Sequence, residues 1–169
     1  MIIGNPYQFA VLTDNVKEWN SEISSFRNGV LLYCIEGEIY PKQVVTATLN
    51  AEIPPVIETL ENLNDNEELF KMETEMAYST IYNITFPEDG GDNDYQFDIS
   101  PYSLSDNNCY VFAVSFGKKV RIMAAKLDFI KSDSRHNLTN LDISEAFISD
   151  QELTRIILEM NVMLNSISD

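Results

Sequence analysis

The run Cys109–Phe116 (CYVFAVSF) has apolar or aromatic side chains at every position but one. Because successive side chains of a strand point to opposite faces of its sheet, a run that is apolar on both faces must be covered on both sides. The run therefore predicts a central strand between two layers. Gly117 and Lys118 fit a two-residue hairpin turn that leads into a strand over 120–127. A last strand is predicted within 141–148.

The first fifty residues are typical of strands. Apolar or β-branched runs occur at 7–13, 30–35, 39–40 and 44–49, and they are too short and too branched to favour helices. Glu36 and Gly37 form a turn between two of them. Since such short connections cannot carry a parallel crossover, the runs predict a three-stranded antiparallel meander.

Three stretches show helical spacing instead. The first has Pro55 in its first turn, followed by Val56, Ile57, Leu60 and Leu63 at helical spacing. The second carries Leu69, Met76, Ala77, Ile81 and Ile84 and stops before Pro87. The third begins at a capping box of Ser149 and Glu152, followed by the apolar stripe Leu153, Ile156, Ile157, Met160, Leu164 and Ile167. We expect an α+β fold in a single domain over residues 1–169. It has a mainly antiparallel sheet of about six strands, with two middle helices and a C-terminal helix packed on it.

Composition supports a cytoplasmic globular protein. A chain of 169 residues with 44% hydrophobic residues can build a core without disulfides. Cys34 and Cys109 lie in apolar runs and are expected to be free, buried thiols. The N-terminus lacks the features of a signal peptide, and no apolar stretch approaches the roughly 18 residues of a membrane span.

Negative charge is concentrated in one part of the chain. The net charge is −16, and between Glu52 and Asp98 thirteen acidic residues stand against Lys71 alone. A field this one-sided repels nucleic acid and anionic lipid and speeds association with a basic partner. We therefore expect a basic protein partner, with no nucleic acid and no membrane. The alternative interpretation is that the acidity only keeps the protein soluble.

No catalytic or cofactor motif is present in the sequence. The only histidine, His136, lies in a polar stretch and is expected in a surface loop. Histidine pairs, Cys-x-x-Cys, phosphate-binding glycine loops and Gly-x-Ser-x-Gly are missing, so we expect no enzyme activity, no cofactor and no catalytic residue. The basic residues cluster only weakly, around the hairpin; they are Lys118, Lys119, Arg121 and Lys126. The lysines among them are interpreted as protection of a sheet edge.

The stretch 87–94 (PEDGGDND) is the most acidic loop of the chain. Asp89, Asp92, Asp94 and Asp98 bring together the oxygen ligands that calcium prefers, but their spacing is not that of an EF-hand. We therefore predict no metal site and keep calcium as an alternative, beside a solvated turn or a partner contact. Trp19 and Tyr95 lie in polar sequence, where they are either interface anchors or half-buried packing residues. The partner-binding candidates are Glu67, Glu68, Glu75, Glu88, Asp89, Asp92, Asp94 and Tyr95.

Several short segments spread over nearly the whole chain resemble segments of a known family. They are 1–7 with Phe9 and Ala10, 28–29, 37–41, 48–49, 98–101 and 145–148. Through them the sequence resembles the immunity 42 family of bacterial polymorphic toxin systems. The resemblance implies a protein that is encoded beside a delivered toxin and stays in the cytoplasm to protect the producing cell. These segments are not catalytic signatures, so no functional residue is carried over from the family.

Three functions are compatible with these features. The first is an immunity protein that binds the C-terminal domain of a cognate toxin, for example a basic nuclease, and occludes its active site or a nearby exosite. The second is a generic acidic interaction or scaffold protein. The third is a small hydrolase that uses a pair of carboxylates, with or without calcium. Nothing in the sequence indicates an oligomeric state.

Overall fold

The first half of the chain forms one antiparallel sheet. Its strands are β1 (Ile2–Gly4), β2 (Phe9–Asn15), β3 (Asn28–Ile35), β4 (Glu38–Tyr40) and β5 (Thr46–Thr48). In this computed structural model, which describes residues 1–168, β1 pairs with β2 and β2 with β3. The two halves of β3 pair with different short strands, β5 at its beginning and β4 at its end. A 3-10 helix, Lys17–Trp19, interrupts the connection from β2 to β3.

The predicted meander is therefore wrong in two respects. The sheet has five strands, because β1 adds an edge strand that is too short for its sequence pattern to reveal. The run 44–49 contributes only Thr46–Thr48, since the chain enters a helix at Leu49.

The second half forms a three-stranded sheet that is apolar on both faces. Its strands β6 (Cys109–Phe116), β7 (Lys119–Lys126) and β10 (Ile143–Ser149) are ordered β10-β7-β6, beside a small ribbon of β8 (Phe129–Ile130) and β9 (Arg135–His136). The hairpin at Gly117, whose φ is 63°, is confirmed.

The two-sided burial of β6 is also confirmed, although β6 is not the central strand. Val111 and Ala113 enter one apolar cluster while Phe112 and Val114 enter another. The outer edge of β6 is covered by the segment 97–99, which exchanges main-chain hydrogen bonds of 3.0 and 2.9 Å with Val111 and Ala113. The central position belongs to β7, so the prediction for β6 is corrected.

Five α-helices complete the fold: α1 (Leu49–Glu61), α2 (Glu67–Lys71), α3 (Thr74–Thr85), α4 (Tyr102–Ser105) and α5 (Asp150–Ser168). The helix predicted to begin at Pro55 starts six residues earlier, at Leu49, so that Pro54 and Pro55 both lie well inside α1. The second predicted helix is two helices, α2 and α3, divided at Met72 and Glu73. Met76, which was assigned to its apolar side, is 60% exposed.

The C-terminal helix α5 agrees with its sequence pattern. The hydroxyl of Ser149 accepts the Glu152 N–H at 3.1 Å, as expected for an N-cap. Ile156 and Met160 are fully buried. The stripe thus packs on the core as predicted, and Met163 adds a buried residue that the pattern did not include.

Two apolar clusters lie on the two sides of β6 and β7. The larger cluster combines residues of both sheets with α1 and α5. The smaller one holds α2 and α3 on the opposite face. Cys34 and Cys109 are both buried and free, as predicted. Two tyrosine hydroxyls also tie the parts together, from Tyr33 to the Ile99 carbonyl at 2.9 Å and between Tyr40 and the Ser144 hydroxyl at 2.8 Å.

Arg121, in β7, connects the second sheet to the segment between α2 and α3. Its side chain donates to the carbonyls of Leu69, Phe70 and Met72 at 2.7–3.1 Å, and its Nη2 lies 2.5 Å from Oε1 of Glu145. Arg121 is only 2% exposed, so it differs from the exposed lysines of the same hairpin, with which the sequence grouped it. The last carbonyls of a helix have no N–H donor within the helix, and at the end of α2 the buried guanidinium of Arg121 supplies that donor.

We expect Arg121→Met to lower the free energy of unfolding by about 3–5 kcal/mol, because Glu145 loses its cation and buried carbonyls lose their donor. Urea denaturation followed by circular dichroism measures the change. Lys118→Met, in the exposed turn of the same hairpin, is the matched control and should alter stability by less than about 0.5 kcal/mol. A loss below about 1 kcal/mol in the Arg121 variant would contradict this role.

Candidate binding surfaces

The eight candidate residues do not form one continuous surface. Glu67, Glu68 and Glu75 lie in α2 or in the first turn of α3, whereas Glu88 to Tyr95 follow the last turn of α3. A helix rises about 1.5 Å per residue, so the twelve residues of α3 separate the two groups by roughly 18 Å. The structure thus offers two acidic regions, one at each end of α3.

The region at the beginning of α3 is a shallow depression with four carboxylates, here called the acidic depression. Glu75 is the one candidate residue in it, and its carboxylate accepts the Asn140 N–H at 2.9 Å. The other three acids, Glu36, Glu73 and Glu145, come from different parts of the chain. Glu73 caps α3, and hydrogen bonds from the N–H groups of Met76 and Glu75 lower the pKa of its carboxyl. Sequence reasoning missed these three because nothing local marks them as neighbours.

The two candidates of α2 are exposed and differ in their contacts. Glu67 pairs with Lys71 one helical turn later, at 2.5 Å. Glu68 has no side-chain partner among residues 1–168. An exposed i,i+4 ion pair contributes little to stability, so both carboxylates are available to another molecule.

The region after α3 is the acidic loop, residues 87–95. Asp89 accepts the Gly91 N–H at 3.1 Å, and Asp94 accepts the main-chain and side-chain N–H groups of Gln96 at 3.1 and 2.6 Å. Glu88 lies 3.2 Å from Arg135 in an exposed ion pair. Asp92 is exposed and contacts no hydrogen-bonding partner in the described chain. Short local bonds thus shape the loop while its carboxylates remain solvated.

The first residues of the acidic loop line a cavity of about 460 Å³ together with His136. His136 is half-buried in β9, so the expectation of a surface loop is wrong. Its Nδ1 lies 2.6 Å from the Tyr82 hydroxyl and its Nε2 lies 2.8 Å from Oδ1 of Asn108. Burial lowers the pKa of the imidazole. Both ring nitrogens thus have a hydrogen-bonding partner inside the protein, Tyr82 for Nδ1 and Asn108 for Nε2.

Tyr95, at the end of the loop, lines a second recess between α1 and the stretch 95–106, here called the aromatic groove, with a volume of about 400 Å³. Its apolar lining includes Val56, Phe86 and Pro101, and its carboxylates belong to Glu52, Asp98 and Asp106. Tyr102 and Tyr95 are exposed by 70% and 53%. Trp19, the other aromatic candidate, lies far along the chain in the 3-10 helix beside β3 and is 43% exposed.

The four aspartates considered for calcium do not converge. Asp98 is half-buried and accepts the Ser100 N–H at 2.8 Å, between the buried residues Phe97 and Ile99, whereas Asp89 and Asp92 are exposed. Burial raises the pKa of the Asp98 carboxyl. Over residues 1–168, no group of three or more histidine, cysteine or acidic side chains is arranged to hold a metal ion.

These surfaces belong to an α+β protein that presents carboxylates and tyrosine rings in shallow recesses. The chain belongs to the immunity protein 42 family (Imm42), whose family model matches residues 1–162. The chain is also similar to the crystal structure of CdiI from Burkholderia dolosa AUO158, with a TM-score of 0.75 and 25% sequence identity over 96% of this chain and 99% of that one. A search of the curated proteins gave no match.

The family assignment confirms the resemblance seen in the sequence, and the similar structure confirms the predicted fold class. The chain is an immunity protein of polymorphic toxin systems, and its partner is a cognate toxin. In the part of the chain that the structure describes, no helix has the length and apolar character needed to span a bilayer.

We expect the single histidine to make stability depend on pH. Since the folded state lowers the pKa of His136, the unfolded chain takes up a proton first as the pH falls below about 6.5, and stability decreases. Urea denaturation at pH 7.5 and 5.5 should show a loss that is larger in the wild type than in His136→Gln, by up to about 1 kcal/mol. Equal losses in the two proteins would contradict a depressed pKa.

Proposed function

We propose that this immunity protein neutralises a basic toxin domain, in the cytoplasm of the producing cell, by binding it through the acidic loop. The proposal extends the family function to a particular surface and to a partner of particular charge. The bound loop covers the toxin's active site or a site directly beside it. A nuclease, whose substrate-binding cleft must attract phosphate, is a partner of suitable charge.

The observation that carries the proposal is the exposure of the loop's carboxylates. Asp89 and Asp92 are exposed and Asp94 is half-buried, while Glu88 makes one exposed ion pair. The hydrogen bonds of Asp89 and Asp94 come from residues only two positions along the chain. Groups that are already solvated and lack strong internal partners can be offered to a basic surface without breaking the fold. By contrast, Arg121 and Glu145 are committed to holding α2 and α3 in place.

Electrostatics explains what such a loop contributes. Complementary charge raises the association rate and fixes orientation more than it raises the final affinity. An immunity protein benefits from fast capture, because toxin that is left free acts on the cell. The net charge of −16 adds a long-range attraction that salt weakens.

The two other functions considered from the sequence gain no support from particular residues. A hydrolase would need carboxylates arranged around a cleft with a suitable reacting geometry, and the three acids of the aromatic groove are bound to main-chain N–H groups or exposed. A scaffold role has no feature that distinguishes it. The toxin-binding proposal is therefore developed alone.

The test neutralises the loop and compares it with an equal loss of charge elsewhere. The loop variant carries Glu88→Gln, Asp89→Asn, Asp92→Asn and Asp94→Asn. The control variant carries Asp14→Asn, Glu18→Gln, Glu22→Gln and Asp142→Asn, four acids without ion pairs in the described chain. Association with the toxin C-terminal domain encoded beside this protein is measured by stopped flow at low and high salt, with protection of cells expressing the toxin as a second measurement.

We expect the loop variant to bind at least about tenfold more slowly at low salt and to protect cells less well. The control variant should retain most of the wild-type rate, and the difference between the two should shrink as salt rises. Equal rates for the two variants would mean that only total charge matters and would refute a role for the loop.

A further inference from the structure

The aromatic groove is lined by three acidic residues and by no lysine or arginine. None of the three, Glu52, Asp98 and Asp106, takes part in an ion pair within the described chain. The carboxylates of this recess therefore have no cation as a partner within the described chain. A carboxylate that is removed from water is stabilised by a nearby cation.

The inner two carboxylates are fixed in place by main-chain donors. Glu52 accepts the N–H of Thr48 and the N–H of Ser103, each at 2.8 Å, and so joins the start of α1 to the start of α4. Asp98 accepts the Ser100 N–H at 2.8 Å. These bonds come from neutral N–H groups, so they orient the two carboxylates but do not neutralise their negative charge. Asp106, at the end of α4, is exposed and has no side-chain partner among residues 1–168.

Two tyrosine rings stand beside this charge. Tyr95 packs edge to face on Phe86, with ring centroids 6.0 Å apart, and remains half exposed. Tyr102 contacts no other ring in the described chain and is 70% exposed. The buried ring of Tyr110 completes the lining between them, and its hydroxyl makes no hydrogen bond to residues 1–168. The groove thus offers ring faces, a free hydroxyl and carboxylates within one recess.

Aromatic rings and carboxylates in one recess favour a cationic ligand, and an arginine side chain in particular. A cation is attracted to the face of an aromatic ring and to a carboxylate at the same time. The guanidinium group is planar, stacks on rings, pairs with carboxylates and is less strongly hydrated than an ammonium group. Its aliphatic stem also suits the apolar wall formed by Val56 and Pro101.

We propose that the aromatic groove receives an arginine side chain from the surface of the toxin and anchors the complex. The proposal rests on the toxin-binding function above and adds a second contact beside the acidic loop, since Tyr95 belongs to both. The loop captures the basic surface, and the groove holds one arginine of it in a partly desolvated position. Buried arginine and aromatic contacts of this kind are the ones that dominate binding energy in protein complexes.

The chemistry of the groove can be tested without the toxin. Amide and tyrosine-ring resonances of the protein are followed by NMR while N-acetyl-arginine amide is added, and the titration is repeated with N-acetyl-citrulline amide, a neutral molecule of nearly the same shape. We expect the arginine compound to shift residues 95–106 and the citrulline compound to leave them unchanged. Tyr102→Ala and Asp106→Asn, both at exposed positions, should each reduce the response.

Two results of this titration would overturn the proposal. One is an equal response to the neutral compound. The other is an arginine response that is strongest at the acidic depression or the acidic loop and does not decrease in the Tyr102 variant.

The second experiment uses the toxin C-terminal domain and measures the dissociation constant. We expect Tyr102→Ala combined with Asp106→Asn to weaken binding by about tenfold or more, mainly through faster dissociation. Tyr7→Ala combined with Asp14→Asn is the matched control, since Tyr7 is 85% exposed and Asp14 is exposed. This control should bind like the wild type.

The outcomes separate the two proposals. If the loop variant loses affinity while the groove variant equals its control, the groove inference is wrong and toxin binding through the loop stands. If the wild-type protein neither binds nor neutralises the toxin domain, the proposed function is wrong, and the assignment of the occupant to the toxin falls with it.

Discussion

The architecture of this protein depends on the sheet of β6, β7 and β10, because both faces of β6 and β7 are buried. A strand that buries side chains on both sides needs a layer on each, and the chain supplies the first sheet with α1 and α5 on one side and α2 with α3 on the other. Each helix position follows from that requirement. The acidic stretch between Glu52 and Asp98 is consequently divided between the two layers, since α1 packs on the larger cluster and α2 and α3 pack on the smaller one.

Buried polar side chains fix the ends of helices and the connections between them. Arg121 holds the end of α2 through three carbonyls, and Glu52 joins α1 to α4 through two main-chain N–H groups. These side chains replace the regular hydrogen bonds that helix ends and loops lack. Because Glu52 links the start of α1 to the start of α4, hydrogen bonds within the chain hold the two walls of the groove together.

Elements that depend on local sequence were predictable. The hairpin at Gly117, the buried run of β6 and the capped stripe of α5 each contain their own signal within a few residues. The division between α2 and α3 was not predictable, since it depends on Arg121 some fifty residues away. The same holds for His136, whose polar neighbours in sequence concealed its contacts with Tyr82 and Asn108. The acidic loop could be found from charge, but the three carboxylates of the groove come from distant segments.

The acidic loop has few ties to the rest of the molecule. Its internal hydrogen bonds are short-range, and its ion pair joins Glu88 to Arg135 at the surface. Exchanges of amino acids at these positions would break only local hydrogen bonds and one surface ion pair, so the packed interior would be left undisturbed. The fold therefore places few constraints on the sequence of this segment, in contrast to the buried strands beneath α2 and α3.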